Sequence, residues 1–354
     1  MNHLLFSVTR LRGRELKNRI CVPPMVCFGW TDETGVVDDH HVAHYAALAA
    51  GGSALIIQEA TCIHPDGRLA YSQLGVWDDS HIPGLRRIAD AVHAHDVPIL
   101  MQIHHAGIVA CTDVHLCPSD YSFVRRGETV TGKEMTPAQI EEVREQFIEA
   151  AVRAEKAGYD GVELHGCHSY LLCQFHNRRV NRRWDSYGDD PLKLTLEILQ
   201  GIRARTGKDF IVGIRLGGFE PSLSEAVTYA KRLDEAGIDF INVSYGFGAE
   251  QDPRKPEDYP HKDIIYAAQE IKAAVKTPVF AVNGIKTPGK AESVLETTGV
   301  DMVCIGRGFL VNYNWANDAR DGLDPGKCIE CPNCFWRNQR DTCPGHDLLE
   351  KSRK

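Results

Sequence analysis

The chain reads as an α/β protein folded as one (β/α)8 TIM barrel, followed by a short cysteine-rich extension. Three observations predict this. One pattern, a helix end, a glycine and a short apolar strand, returns four times, at residues 50–59, 157–165, 236–244 and 298–306. A second set of apolar strands lies between the copies, at 98–103, 210–215 and 278–283, and 19–24 opens the series. Stretches of helical length fill the gaps, giving eight alternating units in 354 residues. The strands are nearly continuous apolar runs, as expected when both faces are covered. A doubly wound sheet is the competing architecture, but no Gly-x-Gly-x-x-Gly opens a helix.

In chain order, the first strand ends in Pro24-Met25. Helical patterns follow at 40–50, 82–95, 136–157, 191–206, 223–236, 262–275 and 290–297. Thr136-Pro137-Ala138-Gln139 reads as a capping box with proline at the first helical position. The glycine after each repeated helix fits a left-handed cap, a conformation cheap only for glycine. The connection 104–134 is long and reads as a lid or substrate wall. Past Gly308 the barrel pattern stops, and too few residues remain for a second nucleotide-binding domain. The expected division is a barrel over 1–310 and an extension over 311–354.

Hydrophobic residues make up 43% of the chain and charged residues 25%, which fits a soluble protein with a large core. A net charge of −8 and a pI near 6.1 give no reason to expect a nucleic-acid or anionic-membrane surface. The basic pairs Arg178-Arg179 and Arg182-Arg183 are candidates for a phosphate or carboxylate. No apolar run approaches the roughly 20 residues of a membrane span, and the N-terminus lacks a signal-peptide core. The expected location is the cytoplasm. There the twelve cysteines are expected as thiols or metal ligands.

In a barrel, the carboxyl ends of the strands build the site. Here they present Pro24-Met25, Glu59-Ala60, Gln102, His104-His105, His165, His168, Tyr170, Arg215, Ser244, Asn283-Gly284 and Gly306-Arg307. Neutral donors and arginine dominate. A glycosidase needs two carboxylates facing the cleft, and only Glu59 and Glu163 come near. His165 and His168 could be two metal ligands, but no strand-end Asp joins them. Asn283-Gly284 and Gly306-Arg307-Gly308 sit where barrels hold phosphate, with glycines admitting backbone N–H groups and Arg307 adding charge.

These residues bring the chain to a known pattern. Leu16-Lys-Asn-Arg-Ile20, Pro24-Met25, Ala43-His-Tyr45, Gln102-Ile-His-His-Ala-Gly107, His165-Gly-Cys-His-Ser-Tyr170 and Asn181-Arg-Arg-Trp-Asp-Ser-Tyr-Gly188 stand in order, with Asn283-Gly284 and Ile305-Gly-Arg307 after them. In this set the chain resembles the Old Yellow Enzyme family of flavin oxidoreductases, nearest the branch of 2,4-dienoyl-CoA reductase and 2-enoate reductase. The resemblance implies FMN over the barrel mouth, reduced by NADH or NADPH. It implies Pro24, Met25 and Ala60 against the isoalloxazine, Gln102 on its pyrimidine edge and Arg215 near N1 and O2. Asn283, Gly284, Gly306 and Arg307 would hold the phosphate. His165 and His168 would bind the carbonyl oxygen of an unsaturated substrate, and Tyr170 would donate the proton. The chain departs from the family at Val26, where one branch has a flavin-tuning cysteine, at Phe28, where tyrosine is common, and at Asp189 after Tyr187-Gly188.

Cys328-x2-Cys331-x2-Cys334-x8-Cys343-Pro344 is the second feature. Its spacing is similar to iron–sulfur ligation and also admits a four-cysteine zinc site or a metal-free remnant. In the resembling branch a [4Fe–4S] cluster occupies a related place, with a different cysteine spacing, and relays electrons from a second flavin domain. The expected activity is therefore an FMN-dependent ene-reductase acting on a small unsaturated carbonyl. The alternative is an FMN/iron–sulfur electron-transfer subunit serving a redox partner. The sequence leaves the oligomer open and gives Cys167 no role.

Overall fold

The computed structural model describes residues 4–125, 127–247, 255–338 and 342–353. Eight strands, β1 (Ile20–Val22), β2 (Leu55–Cys62), β3 (Ile99–His104), β4 (Gly161–Gly166), β5 (Ile211–Gly217), β6 (Phe240–Ser244), β7 (Val279–Val282) and β8 (Met302–Cys304), pair in parallel and in chain order. The barrel closes where β8 meets β1, with Val303 opposite Ile20 and Cys304 opposite Cys21. Every residue of these strands is buried, which explains their unbroken apolar character.

The wall is formed by α1 (Asp39–Ala50), α2 (Ile82–His93), α3 (Pro137–Lys156), α4 (Lys193–Arg205), α5 (Leu223–Glu235), α6 (Asp263–Ala274), α7 (Pro288–Thr298) and α8 (Trp315–Arg320). The glycines of the repeat do what the pattern predicts. Gly52, Gly158, Gly237 and Gly299 all have φ between +70° and +93°, so the chain turns from helix to strand without a Cβ penalty. The box at Thr136 forms as well: Gln139 N donates to Thr136 Oγ1 at 3.2 Å, and Thr136 N donates to Gln139 Oε1 at 2.9 Å.

A hairpin, Thr9–Leu11 with Arg14–Leu16, plugs the amino-terminal end of the barrel. Its Leu11 and Leu16 join Leu55, Leu100, Ile211 and the stacked rings of Phe240 and Phe280. The other end stays open, and there the loops gather. The connection after β3 holds a three-stranded sheet, Leu116–Cys117, Tyr121–Arg125 and Glu128–Glu134. Arg183 ties this sheet down, donating to Pro118 O at 2.9 Å and Met135 O at 2.6 Å while its other nitrogens hold Asp185. Of the basic pairs, Arg183 is thus a buried structural cation. Beyond β8 the chain stays against the barrel: Phe309 and Trp315 are fully buried, and Asn317 N donates to Gly51 O at 3.2 Å. No helix among the described residues is long and apolar enough to cross a membrane.

Candidate active site

The site begins where β4 ends. Strand alternation turns Glu163 and His165 inward together, and the register sets His165 beside Arg215 on β5. After Gly166 the chain leaves the strand in an unusual turn: His168 and Ser169 both adopt left-handed backbone, at φ 59° and 66°. Such a conformation costs a non-glycine residue roughly 1–2 kcal/mol. It is held by His168 N donating to Tyr245 O at 2.9 Å and by Gln174 Nε2 donating to Ser169 O at 2.8 Å. The result places His168 next to His165 and starts the short helix Leu171–His176 directly after Tyr170.

Four side chains then form a line. His104 Nδ1 lies 3.1 Å from His165 Nδ1, His165 Nε2 lies 3.1 Å from His168 Nδ1, and His168 Nε2 lies 2.8 Å from Ser244 Oγ. Tyr170 stands edge-on to the rings of His104 and His165, at 4.4 and 4.7 Å between centroids. Burial, aided by the charge of Arg215, pushes His168 down to about 3. Burial pushes His165 and His104 well below the usual histidine range. All three are neutral near pH 7, so each carries one N–H. Both nitrogens of His165 and of His168 are engaged, so their tautomers are interlocked, and the Ser244 hydroxyl can end the line as donor or acceptor. Cys167, fully buried between the histidines, also reaches Ser244.

Beneath this line lies a polar floor. Glu163 Oε1 accepts from Gln102 Nε2 at 2.7 Å, and Oε2 accepts from Asn242 Nδ2 at 2.8 Å. Burial raises Glu163 to about 7, with Arg215 working against the rise. One N–H of the Gln102 amide is engaged by Glu163, and the residue lines the cavity above. Arg215 is buried, and its Nε has no hydrogen-bond partner in the protein. Such a donor, left unmatched, costs about 1–3 kcal/mol, so it marks a place where a ligand acceptor belongs.

Two cavities share Pro24, Met25, His168, Arg215 and Arg307. The first, about 430 Å³, is lined by His165, Tyr170, Gln102, Ala60 and Phe28 among others. Ala60 reaches it because the β2–β3 register shifts between Gln58 and Thr61. The second, about 240 Å³, lies between Asn283, Gly284, Gly306 and Arg307. Asn283 and Gly284 are both left-handed, at φ 84° and 76°, and a Cβ on Gly284 would come within 2.8 Å of Lys262. A larger outer cavity of about 990 Å³ continues past Tyr170 and Phe28 to Arg125 and Thr129 of the lid sheet.

The predicted strand-end residues therefore converge, and the structure adds others. Lys286 lines the second cavity, and its ammonium, with Arg307, faces Glu330 at 2.5 and 3.4 Å. Lys286 stands two residues past Gly284, a signal the sequence did offer. Ser244 and Glu163 were visible as strand residues, but their partners come from other strands. Trp336 is buried against Trp30, Cys27 and Leu310, closing the mouth from the extension side. Cys331 and Cys334 line the first cavity, and Cys328 lines the second. The four C-terminal thiols are half-buried, and Cys343 lies within electrostatic reach of Cys328 and Cys334. Among the described residues, no three of them approach one another within 4.8 Å.

The profile of the NADH:flavin oxidoreductase / NADH oxidase family matches residues 5–325. The chain belongs to this family. It is thus an oxidoreductase of the Old Yellow Enzyme group, as its motifs predicted. It is 35% identical over 345 residues to an NADH oxidase of Thermoanaerobacter brockii, covering 92% of this chain but 52% of that protein. It is also 35% identical to an NADPH dehydrogenase of Geobacillus thermodenitrificans, covering 96% of this chain and all of the relative. Among solved structures, a 2-naphthoyl-CoA reductase in complex with 2-naphthoyl-CoA superposes with a TM-score of 0.82 at 25% identity, over 91% of this chain and 53% of that one. The chain therefore spans about half the length of some relatives and the full length of others.

The family implies FMN and NAD(P)H, and the site fits FMN on its own terms. The unmatched Arg215 Nε points to an acceptor, Gln102 lines the cavity beside it, and the second cavity carries the cations Arg215, Lys286 and Arg307 with the glycines Gly284, Gly306 and Gly308.

Proposed function

We propose that the chain is an FMN-dependent NAD(P)H oxidoreductase that reduces the C=C bond of an α,β-unsaturated carbonyl. The reading rests on one observation: His165, His168 and Tyr170 converge on the cavity whose other walls are Pro24, Met25, Ala60 and Gln102. Pro24, Met25, Ala60, Gln102 and Arg215 would hold the FMN ring, with Asn283, Gly284, Gly306, Arg307 and Lys286 around its phosphate. When bound, FMN supplies hydride chemistry at N5, recharged by NADH or NADPH.

The protein's part follows from the proton bookkeeping. A carbonyl oxygen seated between His165 Nε2 and His168 Nδ1 accepts from both only if both carry protons. Neutral His165 then accepts at Nδ1 from His104, and neutral His168 accepts at Nε2 from the Ser244 hydroxyl. Two donors on one oxygen draw electron density from the conjugated β-carbon, making it the electrophile. Tyr170 keeps its proton at neutral pH and delivers it to the α-carbon. The half-buried Phe28 and Leu69 side of the cavity suits an apolar substrate body.

His165→Ala is expected to abolish phenol binding and enone turnover while FMN stays bound, as read by visible absorbance. A colourless protein that takes up no FMN sinks this reading.

For the extension we propose a [4Fe–4S] cluster on Cys328, Cys331, Cys334 and Cys343 rather than zinc. Three cysteines at two-residue gaps, with the fourth followed by Pro344, match iron–sulfur ligation more closely than the paired Cys-x2-Cys arms of a four-cysteine zinc site. Because Cys331 and Cys334 also line the candidate FMN cavity, a second reading stands: an FMN/iron–sulfur subunit passing electrons to a partner protein. Steady-state turnover of cyclohexenone with NAD(P)H and no partner separates the two. Iron, sulfide and zinc analysis of anaerobically purified protein tests the cluster.

A further inference from the structure

Cys167 takes no part in the proposed chemistry, yet its thiol lies among the groups that do. One ligand atom each from His165, Cys167 and His168 falls within 4.8 Å of the others. His165 is the last but one residue of β4, Cys167 is the first residue past it, and the left-handed turn at His168 brings the third ligand back beside them.

The spacing is that of a metal site. Tetrahedral zinc holds imidazole nitrogens at about 2.0–2.1 Å, which sets two such nitrogens about 3.3 Å apart. His165 Nε2 and His168 Nδ1 stand at 3.1 Å. Each ring also has the outer partner that metal-bound histidines require on their other nitrogen. His165 Nδ1–H can donate to His104 Nδ1, and His168 Nε2–H can donate to Ser244 Oγ. A fourth position opens into the 430 Å³ cavity, which both histidines line.

We propose that His165, Cys167 and His168 form a three-ligand site for a thiophilic divalent cation, Zn²⁺ being the type, and that this ion excludes the carbonyl ligand. Imidazole and thiolate together select such ions over Mg²⁺ or Ca²⁺. Binding forms two N–Zn bonds and one S–Zn bond, and releases the Cys167 thiol proton to solvent. The facing nitrogens must then offer lone pairs to the metal, whereas the carbonyl needs them as N–H donors. The two ligands therefore demand opposite tautomers and cannot share the site. The exclusion, though not the metal site itself, rests on the enone reading above.

The test uses the FMN-loaded full chain in non-chelating buffer, with ZnCl2 as the probe. Zinc is expected to compete with phenol binding and with cyclohexenone in turnover. Cys167→Ala is expected to weaken zinc inhibition at least tenfold while leaving phenol affinity and turnover intact, and Cys167→Ser, which keeps the volume, to do the same. Cys331→Ala is expected to leave the inhibition unchanged. Equal zinc sensitivity in the wild type and Cys167→Ala overturns the proposal, as does loss of sensitivity in Cys331→Ala. Should phenol fail to bind at all, the enone reading falls. Zinc stoichiometry still decides the metal site: one ion fewer per chain in Cys167→Ala supports it, and no difference overturns it.

Discussion

The barrel mouth and the C-terminal extension are built on opposite terms. At the mouth, most of the side chains stand on the paired strands of the closed barrel, and several polar groups are fixed by a neighbour from another strand. Gln102, Glu163 and Asn242 form one such line, and His104, His165, His168 and Ser244 another. In the extension the thiols are half-buried, and among the described residues Trp336 packs on Trp30 while Glu330 faces two cations. The extension carries four candidate metal ligands, and a bound metal group would add to what orders it.

The largest expected effect tests the mouth. Tyr170→Phe removes only a hydroxyl from a ring held edge-on against His104 and His165. If that hydroxyl is the acid, enone reduction falls by about 10²–10⁴-fold, the usual contribution of such a group. Flavin reduction by NAD(P)H and phenol affinity remain as they were. Stopped-flow measurement of the two half-reactions separates these quantities. An unchanged enone rate would remove Tyr170 from the chemistry.

Trp336→Ala tests the extension. Truncating a buried tryptophan costs about 3–5 kcal/mol in a core, but here the loss falls on the docking of the loop. The barrel's own melting transition should move little. Limited proteolysis after residue 325 should accelerate, and bound iron should fall. A loop that stays equally protected would show that the mouth and extension are more alike than the contacts suggest.

Ser244→Ala asks how far preorganisation at the mouth reaches. The hydroxyl is the group that can donate to His168 Nε2 and so leave the proton on Nδ1. Without it, His168 shifts toward the tautomer that cannot donate to a carbonyl. Loss of one hydrogen bond, about 1–1.5 kcal/mol, predicts roughly tenfold weaker phenol binding with FMN affinity unchanged. Nitrogen NMR of His168 would read the tautomer directly. A variant that binds phenol normally would show that Ser244 only packs.

Much of this was legible in the sequence because it is written locally. The helix–glycine–strand repeat carries its own reason, since each glycine adopts a positive φ that a side chain would resist. The candidate site residues were legible for a related reason: in a barrel, the strand ends meet wherever they fall in the chain. What escaped is pairwise and distant. Ser244 and His168 are 76 residues apart, Glu163 and Asn242 79. No spacing rule announces such partners, since they depend on which strands become neighbours and on the register between them. Trp336 escaped for another reason. A lone tryptophan in a cysteine-rich segment looks like any exposed aromatic until Trp30 and His44 are seen against it.

The smallest effect bears on the seam where the two regions touch. Glu330 lies between Cys328 and Cys331, and its carboxylate faces Lys286 and Arg307, two of the cations that line the second cavity. If those cations hold the FMN phosphate, Glu330 competes with it for them. Glu330→Gln removes the competing charge and raises the local positive potential. All three side chains are about a third to a half exposed, so solvent screens the change and keeps it small. FMN affinity is expected to tighten by up to about fivefold, with the gain fading as salt is raised. Weaker FMN binding in Glu330→Gln would mean that the carboxylate aligns the cations rather than opposing the phosphate. The extension would then be part of the cofactor site, and the boundary between the two regions would have to be drawn beyond Cys331.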